Sequence, residues 1–154
     1  MRRRRRAFLA RPVKRKHSFF REIDHTGDAG IEVEAPERAG LFARAALAMG
    51  RLMVEEKGIE IADYRELEAR GADDAEKMHD LLASALNLFL VDGFMWREAS
   101  AAEHKDLVVL RLGGERFDRR RHALRGEIKA VTYHQLSVTC TPSGRWRARI
   151  IFDI

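Results

Sequence analysis

The most constraining feature of this sequence is a run of apolar residues that recurs every three or four positions between residues 36 and 56. This spacing places the apolar side chains on one face of an α-helix, and Pro36 suits a first helical turn. The periodic positions are Leu41, Ala45, Ala48, Met49, Leu52 and Met53. We therefore predict a long amphipathic helix over residues 36–56, ended by Gly58.

A second helix is predicted to begin after Asp73 and Asp74, whose carboxylates can cap its N-terminus. It is predicted to end near Asp92 and Gly93. Its apolar face consists of Met78, Leu81, Leu82, Ala85, Leu86, Phe89 and Leu90.

The remaining apolar segments have the length and the alternation that are typical of strands. They cover residues 17–23, 31–34, 59–67, 94–98, 107–112, 128–139 and 146–152. Residues 142–144 predict a hairpin turn between the last two, and the pair Gly113 and Gly114 predicts a tight turn. This order of elements predicts an α+β fold with mostly antiparallel sheet and two long amphipathic helices.

Positive charge is concentrated at the start of the chain. Nine of its lysines and arginines fall in the first sixteen residues, so the net charge of +5 becomes about −4 over the remainder. A block of like charge buries little surface, and we expect residues 1–16 to form a disordered tail and residues 17–154 to form one domain. The tail could bind RNA by releasing counterions, which would suit a general RNA-binding or chaperone-like module, or it could be a neutral extension or an artefact of the assigned start.

Cysteine usage and hydropathy indicate where the protein works. Cys140 is the single cysteine, which excludes an internal disulfide and a thiolate zinc cluster and suits a reducing compartment. No apolar run approaches the roughly 18 residues that a membrane helix requires. We therefore expect a soluble cytoplasmic protein.

The segment DHTGDAG, residues 24–30, gathers two carboxylates and an imidazole between two predicted strands. Three interpretations stay open. Asp24 or Asp28 could bind calcium or magnesium, since carboxylate oxygens are the ligands these ions prefer. Asp24, His25 and Asp28 could instead serve a metal-dependent phosphoester hydrolase, with His25 as the general base. The third interpretation is a turn in which both carboxylates accept backbone hydrogen bonds.

Asp153 and Ile154 end the chain directly after an apolar strand. There the Asp153 side chain, the Ile154 carbonyl and the terminal carboxylate would lie within a few ångströms of one another. Such a set of hard oxygen atoms suits a divalent cation. The alternative is a solvated Asp153 beside an Ile154 that fills a core pocket.

No other segment predicts a catalytic site. The glycines at 113 and 114 lack the lysine and hydroxyl residue of a phosphate-binding loop, and no serine has the context of a nucleophile elbow. Four other histidines lie in different predicted elements and are expected at the surface or in turns rather than as ligands, namely His17, His79, His104 and His122.

Five segments, taken in order, resemble the archease family over about residue 17 to the end. They are DHTGDAG at 24–30, LFARAALAM at 41–49, the pair Gly114 and Glu115, IKAVTYH at 128–134, and residues 146–154 with their terminal Asp-Ile. Archeases are small α+β proteins that activate the GTP-dependent tRNA-splicing RNA ligase. They promote its guanylylation and multiple turnover, and they are activators of an enzyme rather than enzymes. The resemblance thus implies that ligase as partner, with RNA met indirectly or through the basic tail.

The resemblance also implies functional residues. Asp28, Asp153 and Ile154 match the positions that bind a divalent cation in this family, with calcium expected and magnesium as the alternative. Lys129 matches a motif position that would contact the ligase or a phosphate, or would simply pair with nearby carboxylates. Thr132, Tyr133 and His134 are expected to orient or pack their strand.

Two positions depart from the family pattern. Gly27 stands where alanine is more usual, and Leu88 stands where an acidic residue is common. The basic tail has no counterpart in the pattern. None of these departures touches the expected cation site.

Overall fold

The computed structural model describes residues 19–25 and 27–154. Two helices lie in this part of the chain, α1 (Arg38–Met53) and α2 (Asp74–Asp92). The strands are β1 (Phe20–His25), β2 (Asp28–Ala35), β3 (Asp63–Arg70), β4 (Phe94–His104), β5 (Leu107–Arg116), β6 (Ala130–Val131), β7 (Ser137–Cys140) and β8 (Trp146–Asp153). The expected tail, residues 1–16, and His17 lie outside the described residues, so the predicted domain boundary stays a prediction.

The strands form two antiparallel sheets. In the first, β2 and β8 are central, the order is β1-β2-β8-β6, and β7 also pairs with β8. The second has the order β3-β5-β4. The predicted α+β fold with mostly antiparallel sheet and two long helices is confirmed.

Helix α1 packs against both sheets, since it contacts β2 and β8 of the first and β4 and β5 of the second. Most of its residues are therefore buried, including positions outside the predicted apolar stripe such as Phe42 and Ala46. The buried Trp96 of β4 donates its indole N–H to the Ala46 carbonyl over 2.9 Å. A Cβ on Gly50 would lie 2.9 Å from that indole nitrogen, so the glycine allows helix and strand to approach closely.

Helix α2 ends as its sequence predicts. The Asp73 carboxylate accepts the Glu76 N–H over 2.8 Å, and Gly93 closes the C-terminus with a φ of 69°. On its predicted apolar face Leu90 is the exception, because that side chain is exposed. No helix in the described part of the chain is both long enough and apolar enough to cross a membrane.

The predicted strand over residues 128–139 is wrong, because the structure has two short strands there. Between β6 and β7 the chain turns, with the Leu136 N–H donating to the Tyr133 carbonyl over 3.3 Å and Gln135 at a φ of 53°. Both strands still pair with β8. The predicted hairpin turn at 142–144 is confirmed, and it joins β7 to β8.

The predicted tight turn at Gly113 and Gly114 is also wrong, since both glycines lie inside β5. The pairing of β5 with β4 shifts register between Trp96 and Glu98. This irregularity brings the strands unusually close, and a Cβ on Gly114 would lie 1.8 Å from the Met95 carbonyl oxygen. The glycine is needed for the close approach of two strands and not for a change of chain direction.

Several element boundaries differ from those predicted. The first helix starts at Arg38 and ends at Met53, inside the expected 36–56. The strand expected at 59–67 lies at Asp63–Arg70, and the one expected at 94–98 continues to His104. Residues 24–30 do not form one long loop, because β1 runs to His25 and β2 begins at Asp28.

Candidate functional site

Asp28 and Asp153 lie directly opposite one another in the first sheet. Asp28 begins β2, Asp153 ends β8, and the antiparallel register pairs their Cα positions. Directly opposed residues have Cβ atoms about 4.5–5.5 Å apart and point to the same face of the sheet. Two carboxylates more than a hundred residues apart in sequence are thereby brought together.

The other charged pairs on this face have complementary charge. The Glu34 carboxylate lies 2.6 Å from the Arg147 guanidinium, and Glu32 lies 3.1 Å from Arg149. The hydrogen bond from Arg147 holds the pKa of the Glu34 carboxyl below its usual value. The pair formed by Asp28 and Asp153 differs from these two pairs, because both of its members are acidic.

Residues around Asp153 hold its backbone in place. The Lys129 N–H donates to the Asp153 carbonyl over 2.7 Å, and Ala130 of β6 is the Cα partner of Asp153. The Lys129 side chain is exposed. Ile154 is 48% exposed, so it does not fill a core pocket, as one interpretation of the sequence required.

The backbone of the segment Asp24 and His25 runs beside this pair. His25 is the Cα partner of Asp28, and Asp24 is the partner of Ala29. The strand pairing therefore sets the order His25, Asp28, Asp153 and Ala130 across four neighbouring strands. Asp28 and Asp153 are the two central members of that row.

Among the side chains that the structure describes, no three His, Cys, Asp or Glu residues are grouped to hold a metal ion. The expected ligand set differs from such a group, because it contains two side-chain carboxylates and oxygen atoms of Ile154. That Asp28, Asp153 and Ile154 bind a cation stays a prediction.

The strand next to the carboxylates is tied down by neighbouring polar side chains. Thr132 Oγ1 donates to the Ile151 carbonyl over 2.8 Å. His79 of α2 lies 3.1 Å from the Val131 carbonyl oxygen, and the Tyr133 ring stacks on its imidazole at 3.8 Å. The prediction of a surface His79 is therefore wrong in part, since it links α2 to β6.

A buried polar network around Glu115 was missed by the sequence reasoning. Glu115 is 8% exposed, and it accepts two hydrogen bonds from Arg121 and one from the Glu60 N–H at 2.5 Å. His122 was expected at the surface but is 5% exposed, with Nε2 3.2 Å from the Glu115 carboxylate. The one sequence signal was that Glu115, Arg121 and His122 lie within eight residues of one another. That proximity does not indicate that Glu115 and His122 are buried.

The hydrogen bonds of His122 define its tautomer. The Asp118 backbone N–H can only donate, and it lies 2.8 Å from Nδ1, so Nδ1 accepts and Nε2 carries the proton. Nε2–H then donates to Glu115. The Arg121 hydrogen bonds, followed by those from Glu60 and His122, lower the pKa of the Glu115 carboxyl to about 2.

Replacing Glu115 with glutamine should lower the free energy of unfolding by about 2–4 kcal/mol at pH 7, because the buried network loses its negative charge and one of its two acceptor oxygens becomes a donor. The folded-state pKa of about 2 lies below the ordinary value of 4.5. The ionised carboxyl therefore stabilises the fold above pH 4.5, and this contribution disappears as the pH falls towards 2. Urea denaturation across that pH range should show the gap between parent and variant narrowing.

The exposed Glu66 provides the matched control, since Glu66→Gln removes the same charge from the same sheet. Its effect should stay within about 0.5 kcal/mol. A gap for Glu115→Gln that is constant with pH would contradict the role given to the ionised carboxylate.

Comparison with known proteins agrees with this fold. Residues 20–154 match the model of the Archease protein family (MTH1598/TM1083). The chain is 31% identical to a protein archease of Methanosarcina barkeri, over 88% of this chain and 95% of the relative. It is 32% identical to a protein archease of Methanopyrus kandleri, over 88% and 99% of the two chains.

A solved structure has the same architecture. The solution structure of Methanobacterium thermoautotrophicum protein 1598 superposes with a TM-score of 0.73 at 28% identity. The match covers 88% of this chain and 99% of that one. On the family model, the relatives and the shared fold together, the chain belongs to the archease family.

Proposed function

We propose that this protein activates a GTP-dependent tRNA-splicing RNA ligase by promoting its guanylylation and multiple turnover. Membership of the archease family supports an accessory role in RNA ligation and tRNA processing. The observation that carries the finer proposal is the direct opposition of Asp28 and Asp153 in the register of β2 and β8. It brings two carboxylates together where β2 begins and β8 ends.

A divalent cation at Asp28, Asp153 and Ile154 is part of this proposal. Carboxylate and carbonyl oxygens are the ligands that calcium prefers, and magnesium accepts the same chemistry with fewer protein ligands. The two facing carboxylates fit such an ion, because their mutual repulsion is lowest when a cation lies between them. When bound, the ion would supply a positive charge at the exposed end of β8.

Lys129 would place a second positive charge at the same edge, next to the proposed cation. Its backbone is bound to Asp153, and its side chain is exposed beside the proposed site. An ammonium group in this position suits a phosphate or an acidic residue of the ligase. We propose it as a contact residue for the partner.

The test is a guanylylation assay with a purified splicing-type RNA ligase, GTP and a divalent metal. We expect the protein to increase the rate at which the ligase becomes covalently guanylylated and the number of ligations per ligase. A reaction without ligase measures any guanylyl transfer or phosphoester hydrolysis by the protein alone. Equal guanylylation with and without the protein would contradict the proposal, and hydrolysis without ligase would favour an enzyme that uses Asp24, His25 and Asp28.

A further inference from the structure

An arginine-rich segment covers the last residue of β5 and the turn that follows it, away from the two opposed carboxylates in sequence. Within residues 116–121 four of six side chains are arginine. These residues line an open cavity of about 640 Å³ together with Ala62 and Glu115. The cavity is large enough for phosphate groups and their bridging water molecules.

Carboxylates neutralise only one of these four arginines. Arg121 binds Glu115 and also lies 3.6 Å from the Asp118 carboxylate. Within the described part of the chain, no carboxylate lies within ion-pair distance of Arg116, Arg119 or Arg120. All three are exposed. The cavity therefore carries three positive charges, which the Asp118 carboxylate in the same turn offsets only in part, since it also faces Arg121.

The turn that carries these charges is held firmly by buried groups. The Asp118 carbonyl accepts the N–H groups of Arg121 and His122 at 3.0 and 2.8 Å. The Phe117 N–H donates to the Gly93 carbonyl over 2.7 Å, and its ring packs edge-on against Phe89 at 6.2 Å. These hydrogen bonds and the network of Glu115 fix the backbone of the turn, from which the three exposed arginine side chains extend.

We propose that this face, Arg116, Arg119 and Arg120, binds the phosphate backbone of single-stranded RNA. Guanidinium groups match phosphate geometry and are weakly hydrated, which favours them for such contacts. The cavity is open and the Phe117 ring is half-buried, so the face suits successive phosphates along a strand better than an enclosed nucleotide. The basic tail is not required for this site.

RNA affinity of the full-length protein tests the proposal, measured by the anisotropy of a labelled unstructured oligonucleotide over a range of salt concentrations. We expect the triple variant R116A/R119A/R120A to bind on the order of tenfold more weakly. Its plot of log affinity against log salt should be shallower by about 2, because each lost phosphate contact on a single strand contributes about 0.7. The change should be independent of RNA sequence.

The control variant R21A/R70A/R145A removes the same charge from exposed arginines that already have acidic partners. It should retain most of the RNA affinity, whereas R116K/R119K/R120K, which keeps the charges but not the guanidinium geometry, should bind more tightly than the alanine triple and less tightly than the parent. Both sets are repeated in a full-length background in which all nine lysines and arginines of residues 1–16 are changed to serine, so that binding by the tail is separated from binding by the cavity.

Equal weakening by the two alanine triples would overturn the proposal, since net charge alone would then explain RNA affinity. If GTP displaces the RNA and binds with the same affinity, the face is a nucleotide-binding site and not an RNA-binding one. An unchanged RNA affinity together with lost binding to the ligase would assign the face to a protein partner instead. Because no ligase is present in the RNA measurement, and Asp153→Asn should bind RNA like the parent, failure here is distinguishable from failure of the proposed function.

Discussion

Changing Asp153 to asparagine should weaken calcium affinity by at least about a hundredfold and remove the stimulation of ligase guanylylation. The same result is expected for Asp28→Asn, because the two carboxylates face each other across β2 and β8 and would bind one ion between them. An amide keeps the shape of the side chain and one oxygen but removes the negative charge that attracts the cation. Calorimetric titration with calcium and the guanylylation assay measure the two effects.

Stability measurements distinguish cation binding from a purely structural role of the two carboxylates. Without a cation Asp153→Asn should be as stable as the parent or slightly more stable, since a like-charge pair is removed from the sheet. With calcium the parent alone should gain stability, because a ligand that binds the folded state shifts the unfolding equilibrium. Thermal denaturation with calcium and with a chelator tests whether the parent is more stable than the variants only when calcium is present.

Glu22→Gln serves as the control for lost charge, since Glu22 is an exposed acid on β1 of the same sheet. It should leave calcium affinity and stimulation unchanged. If Asp28→Asn and Asp153→Asn also bind calcium and stimulate the ligase like the parent, the assignment of the site is wrong. Loss of stimulation with full calcium affinity would instead make the two carboxylates direct contacts to the ligase.

Local sequence patterns predicted the elements that are stabilised locally. The cap of α2 at Asp73 and its end at Gly93 depend on residues adjacent in sequence, and both are confirmed. The face of α1 was underestimated, because the periodicity of a helix reports its strongest apolar stripe and not the presence of a second sheet. Phe42 and Ala46 are buried by contacts that come from residues far along the chain.

The opposed carboxylates illustrate what sequence can and cannot supply. Asp28 and Asp153 were singled out by their residue type and by the family resemblance, whereas their opposition is a property of strand register. A shift of one residue in register would move Asp153 to the buried face that Phe152 now occupies, and Phe152 to the opposite face. The site therefore depends on the pairing of β2 with β8 along its full length, from Ala35 to Asp28.

The Glu115 network was not predictable in the same way. Glu115 follows two glycines and precedes a charged turn, which is a composition typical of exposed loops. Its burial arises because β5 lies between β3 and β4 and because His122 folds back to cover it. Burial of a charged side chain is decided by partners, and those partners became visible only in three dimensions.

Gly114→Ala should destabilise the protein by more than about 4 kcal/mol, which is more than alanine at Gly113 or Gly40 should cost. The added Cβ would lie 1.8 Å from the Met95 carbonyl oxygen and 2.6 Å from the Trp96 Cα. Both are backbone atoms of β4, held by the ladder with β5 on one side and by the bond of Trp96 to α1 on the other. The strands would have to separate, and buried hydrogen bonds would be lost.

Alanine substitutions at two other glycines should have smaller effects on stability, so the three variants can be ranked. A Cβ on Gly113 would meet the Tyr64 ring at 2.8 Å, and that ring is 43% exposed and free to rotate away, so the loss should be about 1 kcal/mol. On Gly40, in the first turns of α1, the nearest atom would be 3.8 Å away, and alanine should stabilise by about 0.5–1 kcal/mol through its helix propensity. Urea denaturation should therefore give the order Gly40→Ala, parent, Gly113→Ala, Gly114→Ala from most to least stable.

If Gly114→Ala were as stable as Gly113→Ala, the approach of β4 to β5 would be looser than the register shift implies. Should Gly114→Ala fail to fold while Gly113→Ala and Gly40→Ala fold normally, the cost of separating the strands would exceed the stability of the whole domain.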